Sequence, residues 1–165
     1  MKTPGENELR ELRLKCWMTH DGTWFYHCLQ ECGIEKTNAI NRAASKSLAM
    51  VEVKRVQRAY GLEKIETFDD LRNLVQAMFD AVKGDFMKFA ISFPSKNILH
   101  FDVHKCFAYD GMKKMGVLGE YQCGIYHRIR SWFDALKIEY SVSPPVEGCM
   151  LHTQGECIRD FKFNF

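Results

Sequence analysis

The sequence predicts an α+β domain in which helices come first and an antiparallel sheet follows. Apolar residues recur at helical spacing through most of residues 7–84, and from Asp85 they alternate with polar residues instead. With 165 residues, 46% of them hydrophobic, the chain is long enough to bury its own core. We expect one domain over residues 1–165, with a helical half (1–84) and a strand-helix-helix-strand half (85–165). About four antiparallel strands are expected in β-β-α-α-β-β order, with the helices packed on one face.

Four helices are predicted in the first half, separated by residues that cap or break helices. Asp21-Gly22 follows the first apolar stripe, and Gly33 and Gly61 end the next two segments, because glycine is a poor helix former. Thr67 begins the fourth helix, with Asp70 at the capping-box position. The expected helices cover Asn7 to about Met18, Thr23–Cys32, about Glu35 to Tyr60, and Thr67 to Gly84.

The fourth helix and the first strand present two strong apolar faces that adjoin in sequence. Because each face must be buried against something, we expect the two to pack against each other. The helix stripe comprises Leu71, Leu74, Val75, Met78, Phe79 and Val82, and the strand face comprises Met87, Phe89, Ile91 and Phe93.

The remaining elements follow from alternation and from turn residues. A turn at Pro94–Asn97 leads into a second strand whose apolar residues end at Val103. Two helices, two strands and a Pro144-Pro145 interruption complete the chain. The helices are expected from Cys106 to about Met115 and from Tyr121 to about Leu136, and the strands over 138–142 and 161–165.

Composition argues against several classes of function. The net charge is +2, from 23 Lys and Arg against 21 Asp and Glu, which lacks the basic excess of a nucleic-acid binder. No apolar run approaches the ~18 residues of a membrane span, and the first residues lead into charged ones rather than a signal peptide. P-loop, dinucleotide-binding and H-E-x-x-H motifs are absent. We therefore expect a cytoplasmic domain without a nucleic-acid partner or a membrane span.

Seven cysteines are the most unusual feature of the composition. None forms a CxxC pair, and in a reducing compartment such residues are buried small hydrophobes, metal ligands or catalytic thiols. The four in the last third are candidate metal ligands, because thiolates suit zinc or an iron–sulfur centre, with His104 or His152 as substitutes. The alternative is that they only fill the core. These candidate ligands are Cys106, Cys123, Cys149 and Cys157.

Two groups of histidines are candidate sites for a small-molecule ligand. His100, Asp102 and His104 share one face of the second strand, where they could bind a ligand or exchange protons. Alternation alone also predicts a solvated polar face there. In the first half, an aromatic and histidine-rich stretch beside the expected helix break could border a pocket or simply pack. Its candidate residues are His20, Asp21, Trp24 and His27.

Two stretches resemble known families. His20-Asp21-Gly22-Thr23-Trp24-Phe25, followed by an apolar helix, resembles the opening of an uncharacterised bacterial family related to the aminothiazoline-carboxylate hydrolases. That family also places cysteines at positions like Cys106 and Cys123. The segment from Glu147-Gly148-Cys149 to Phe161-Lys162-Phe163 is similar to the closing hairpin of vinyl-reductase-like domains. This resemblance implies the fold shared by a Golgi tethering subunit and haem-nitric-oxide sensors, although Arg159-Asp160 depart from its pattern.

Three functional hypotheses follow. The first is a sensor-like domain that binds a small molecule or a metal where the late cysteines meet the His20–Trp24 region. The second is a hydrolase of the aminothiazoline-carboxylate type, acting on a small cyclic substrate with His20 or His104 as general base. The third is a structural module whose helix faces mediate homodimerisation while the cysteines pack. The cofactor stays open between zinc, an iron–sulfur centre and none.

Overall fold

The computed structural model describes residues 2–165. It is an α+β structure with a four-stranded antiparallel sheet, as the sequence predicts. The elements in chain order are α1 (Glu6–Tyr60), α2 (Phe68–Val82), β1 (Lys88–Ser92), β2 (Ile98–Lys105), α3 (Phe107–Met115), α4 (Gly124–Leu136), β3 (Tyr140–Ser143), α5 (Met150–Thr153) and β4 (Ile158–Phe163).

Helix α1 joins what the sequence divides into three helices. The backbone stays helical through Asp21-Gly22, so the break predicted there is wrong. A single glycine costs a helix only about 1 kcal/mol, which the helical turns on both sides outweigh. The real kink is at Gly33, where φ is 73° and ψ is 170°. At Gly61 the backbone is left-handed and ends the helix, as predicted.

Helix α2 begins with the predicted capping box. The Thr67 hydroxyl accepts from the Asp70 amide at 3.2 Å, and the Asp70 carboxylate accepts from the Thr67 amide at 2.9 Å. The packing of α2 against β1 is also confirmed. The rings of Phe79 and Phe89 lie 5.4 Å apart, and those of Phe68 and Phe93 lie 6.0 Å apart.

The strand order in the sheet is β1-β2-β4-β3, so the last strand lies between β2 and β3. Strand β4 starts at Ile158, three residues before the expected Phe161. In its register Phe101 lies opposite Arg159, and Val142 lies opposite Phe161. Arg159 is therefore part of the strand, on its buried face, and not an insertion before it.

A short helix, α5, interrupts the second half and was not predicted. The order is therefore β-β-α-α-β-α-β, which corrects the expected β-β-α-α-β-β arrangement. Four residues are too few to show a helical period, so the sequence pattern gives no signal for it. Helix α4 also starts at Gly124 rather than Tyr121, because Gln122 forms a β-bridge with Gly148.

One face of the sheet carries the main core. Phe101 and Phe161 are buried there against side chains of α1, α2 and α4. Phe79 of α2 stacks on Phe101 at 5.5 Å and meets Trp132 of α4 edge-on at 5.2 Å. On the opposite face His100 pairs with Asp160, both of them at least partly exposed. The residues before α3, α4 and β4, which are Cys106, Cys123 and Cys157, pack against this core.

Candidate functional site

The four late cysteines line one cavity of about 90 Å³, which we call the thiol cavity. They come from four chain segments and span 52 residues of sequence, from position 106 to position 157. Each of them directly precedes a helix or a strand. Cys106, Cys123 and Cys149 are the residues before α3, α4 and α5, and Cys157 is the residue before β4.

Backbone hydrogen bonds hold these segments together. The amide of Cys123 donates to the Glu147 carbonyl at 2.9 Å, which joins the start of α4 to the segment before α5. The amide of Val103 donates to the Cys157 carbonyl at 3.0 Å, which joins the end of β2 to the start of β4. These backbone hydrogen bonds keep the cysteines of the joined segments at the cavity without a disulfide.

The rest of the thiol cavity is largely apolar and aromatic. Phe79, Phe101 and Trp132 reach it from the main core. Tyr121 also lines it, and its hydroxyl accepts a hydrogen bond from the Gly124 amide at 2.9 Å. Burial raises the pKa of Tyr121 well above its usual range, so the phenol stays neutral.

Burial also controls the ionisation of the thiols. It raises the pKa of Cys106 to about 11 and that of Cys123 to about 12. The pKa of Cys149 and that of Cys157 rise for the same reason. Charge on neighbouring cysteines adds to the pKa rise of Cys106, Cys123 and Cys157. All four groups are therefore neutral thiols near pH 7 in the free protein.

Backbone N–H groups partly offset this effect. The Tyr126 amide donates to Sγ of Cys123 at 3.5 Å. The amides of Ala108 and Tyr109 act in the same direction on the pKa of Cys106, and those of Leu151 and His152 on that of Cys149. These donors would stabilise a thiolate once another group removes its proton.

Arg159 is a functional candidate that the sequence analysis missed. Its side chain lines the thiol cavity and is 2% exposed. The guanidinium donates to the carbonyls of Pro144 at 3.0 Å and Val146 at 2.6 Å, and lies 3.6 Å from the ring centre of Tyr126. No carboxylate forms a salt bridge with it in residues 2–165. In the sequence, Arg159 alternates with Phe161 and Phe163, and an arginine on the apolar face of a strand is the signal that could have identified it.

A second arginine on the cavity wall is already neutralised. Arg128 forms a largely buried salt bridge with Glu52 of α1. The same carboxylate accepts from Nε1 of Trp132 at 3.0 Å. The charge of Arg128 is thus balanced by Glu52, whereas the charge of Arg159 has no such partner.

The thiol cavity does not present the arrangement that a single ion requires. In the part of the chain that the structure describes, no group of three or more Cys, His, Asp or Glu side chains is positioned to hold one metal ion. The four cysteines line one cavity, but no three of them form a ligand group for one ion. The expected substitutes lie elsewhere, since His104 and His152 are both exposed.

The histidine stretch of α1 lies apart from the thiol cavity. His20 and Trp24 are exposed, and the nitrogen Nδ1 of His20 lies 3.8 Å from Asp21. None of His20, Asp21, Trp24 and His27 lines the cavity, which α1 reaches through Met18. Because the helix continues through residues 20–27, the backbone interruption on which we based a pocket there is absent.

The histidines of β2 likewise face away from the cysteines. His100 pairs with Asp160 on β4 at 2.7 Å, and His104 lies 3.4 Å from Asp102. His104 borders a separate surface recess. The structure therefore brings together the four predicted cysteines but not the predicted histidines. Whether His20 or His104 has a catalytic role stays a prediction.

The fold and the site define an α+β domain with a buried cavity walled by thiols and aromatic rings. The chain belongs to DUF6125, a family of unknown function, whose family model matches residues 7–140. This range includes Cys106 and Cys123 but ends before Cys149 and Cys157. No curated protein and no solved structure matches the chain. The resemblance to aminothiazoline-carboxylate hydrolases and vinyl-reductase-like domains stays a prediction.

Among residues 2–165, no helix combines the length and the apolar character needed to cross a membrane.

Proposed function

We propose that this chain is a binding domain that holds a thiophilic metal centre in the thiol cavity. One observation carries the proposal: four cysteines from separate segments line the same buried space. Core packing alone does not require cysteines from four segments to line one cavity. Thiolate sulfur is the preferred protein ligand of zinc and of iron–sulfur centres, and both kinds of centre take four thiolates. A single zinc ion would require the four sulfurs to move together, since they form no single-ion ligand group.

The charges around the cavity support an anionic occupant. Arg159 is a buried cation without a carboxylate partner, and such a charge is costly unless something balances it. A metal centre bound by four thiolates carries net negative charge and would supply this balance. A neutral apolar ligand would also fill the cavity, but it would leave the guanidinium with only its carbonyl acceptors and the Tyr126 ring, and without a counter-charge.

The first test is elemental analysis of the freshly purified full-length chain. We expect zinc or iron at about one centre per chain, and loss of this metal in Cys106→Ser and Cys123→Ser. Cys16→Ser and Cys32→Ser are matched controls, because both residues are exposed on α1. The controls should keep the metal. Circular dichroism reports whether each variant folds.

The proposal is wrong if the wild-type chain carries no thiophilic metal and takes up none on loading. A binding role for the wild-type metal is also testable without variants. A metal centre that binds only the folded state stabilises it, by roughly 2.7 kcal/mol when the free metal concentration is a hundred times Kd. The melting temperature should therefore rise when the metal is bound. No change in melting on removal of the metal with a chelator would contradict binding to the folded site.

A further inference from the structure

The spread of the four thiols constrains the size of what they bind. A single zinc ion draws its sulfur ligands onto one point, at about 2.3 Å each. In residues 2–165 no three candidate ligands are arranged in that way, although all four thiols line one cavity. The cavity of about 90 Å³ holds several water-sized atoms, at roughly 10–15 Å³ each. An occupant made of several atoms therefore fits the cysteines better than one ion does.

The walls of the cavity indicate the chemistry of that occupant. An iron–sulfur cluster takes one thiolate at each of its iron corners, and hydrogen bonds to its sulfurs and low solvent exposure tune it. The Tyr126 amide donates to Sγ of Cys123, and the apolar rings of Phe79, Phe101 and Trp132 line the space. The buried guanidinium of Arg159 also lines the cavity, where it would offset the negative charge of the cluster.

We propose that the thiol cavity binds a [4Fe–4S] cluster through Cys106, Cys123, Cys149 and Cys157. This inference rests on the proposed function and specifies its metal centre. Assembly is a ligand exchange: two ferrous ions, two ferric ions and four sulfides combine with four thiols, and four protons are released. No net oxidation or reduction is needed, and the protons leave as the iron–sulfur bonds form.

The test is anaerobic reconstitution of the full-length chain with a ferric salt, sodium sulfide and excess dithiothreitol, which reduces part of the iron. We expect about four irons and four sulfides per chain after desalting, and a broad visible absorption that dithionite bleaches. Cys149→Ser and Cys157→Ser should lose most of this absorption, whereas Cys32→Ser should keep it. In parallel, Zn²⁺ alone is titrated into the metal-free chain from the same preparation.

The possible results separate this inference from the proposed function. One zinc bound per chain, with no cluster assembled, overturns the cluster and leaves a thiophilic metal centre. No uptake of zinc or of iron and sulfide overturns both. A cluster that survives in the Cys149 and Cys157 variants overturns the assignment of its ligands.

Alkylation mapping covers the case in which those variants fail to fold. Iodoacetamide treatment is continued until Cys106, Cys123, Cys149 and Cys157 are modified in the wild-type apo chain. The reconstituted chain is treated for the same time, and the modified peptides are identified by mass spectrometry. Protection confined to Cys106, Cys123, Cys149 and Cys157 in the reconstituted chain is the expected result. Equal modification of these four cysteines in both samples would overturn the inference.

Discussion

At the scale of single residues, burial decides how the thiols behave. Cys106 and Cys123 hold their protons more tightly than exposed thiols, because the thiolate would lose its water. Metal binding must therefore displace protons, and affinity should rise with pH as the thiols become easier to ionise. The raised pKa values of these thiols also make the stability of the metal-free chain depend on pH.

The pH dependence of stability should carry the signature of Cys123. Its pKa rises from the ordinary value of 9.0 to about 12 in the folded state. Above pH 9 the unfolded chain loses a proton that the folded chain retains, so its contribution to stability falls as the pH rises towards 12. In the metal-free Cys123→Ala variant, the free energy of unfolding should decline less steeply above pH 9, by about 1.4 kcal/mol for each pH unit.

Urea unfolding at a series of pH values between 8 and 11 measures this effect, and the expected difference in slope above pH 9 is ~1.4 kcal/mol per pH unit. The exposed Cys32 provides the matched control, and Cys32→Ala should keep the wild-type slope. An identical slope in the wild type and in Cys123→Ala would show that Cys123 is not protonated more tightly in the folded state.

At the scale of elements, the two glycines of α1 have opposite roles. Gly33 has a φ of 73° and a ψ of 170°, a conformation that is essentially restricted to glycine. Gly22 lies inside regular helix with open space around the position of a Cβ. The kink matters for the site, because it separates the exposed stretch with His20 from the half of α1 that packs on the core through Ala49 and Val53.

Alanine at the two glycines should therefore shift stability in opposite directions. Gly33→Ala should cost about 1–3 kcal/mol, because alanine does not tolerate the backbone of the kink. Gly22→Ala should stabilise the chain by roughly 0.5–1 kcal/mol, because alanine loses less conformational freedom in a helix. Chemical denaturation of both variants beside the wild type checks this. A stabilising Gly33→Ala would mean that the kink is not required by the fold.

Local sequence signals account for the elements that were predicted correctly. The capping pair Thr67 and Asp70 and the glycines that follow α1 and α3 act within a few residues, so a pattern reveals them. Helix α5 is only four residues long, and the continuous path of α1 through Asp21-Gly22 depends on the helical turns on either side. Propensity is a weak guide wherever such context acts against it.

At the scale of the whole molecule, the site depends on contacts between distant segments. Residue type alone identified the four late cysteines, but it could not show that they share a cavity. Arg159 escaped notice because its importance comes from its position in β4, opposite Phe101. The predicted site at His20 does not adjoin the cysteines, and the helix break that was expected to open a pocket there is absent. The residue types of the site were therefore predictable from the sequence. Their placement around one cavity depends on the three-dimensional fold, including the sheet order β1-β2-β4-β3.

The core beneath α2 holds this arrangement together, and Leu74 tests it. The residue is 1% exposed, in the centre of the stripe that packs on the sheet. Leu74→Ala removes buried methyl groups and leaves a cavity, so the free energy of unfolding should fall by roughly 2–5 kcal/mol. Leu12→Ala makes the same chemical change at a side chain that is 55% exposed on α1, and it should cost less than about 1 kcal/mol. Urea denaturation of both variants gives the comparison. Equal losses for the two would mean that α2 does not pack on the sheet through this face, and the wall that Phe79 forms on the thiol cavity would then be misplaced as well.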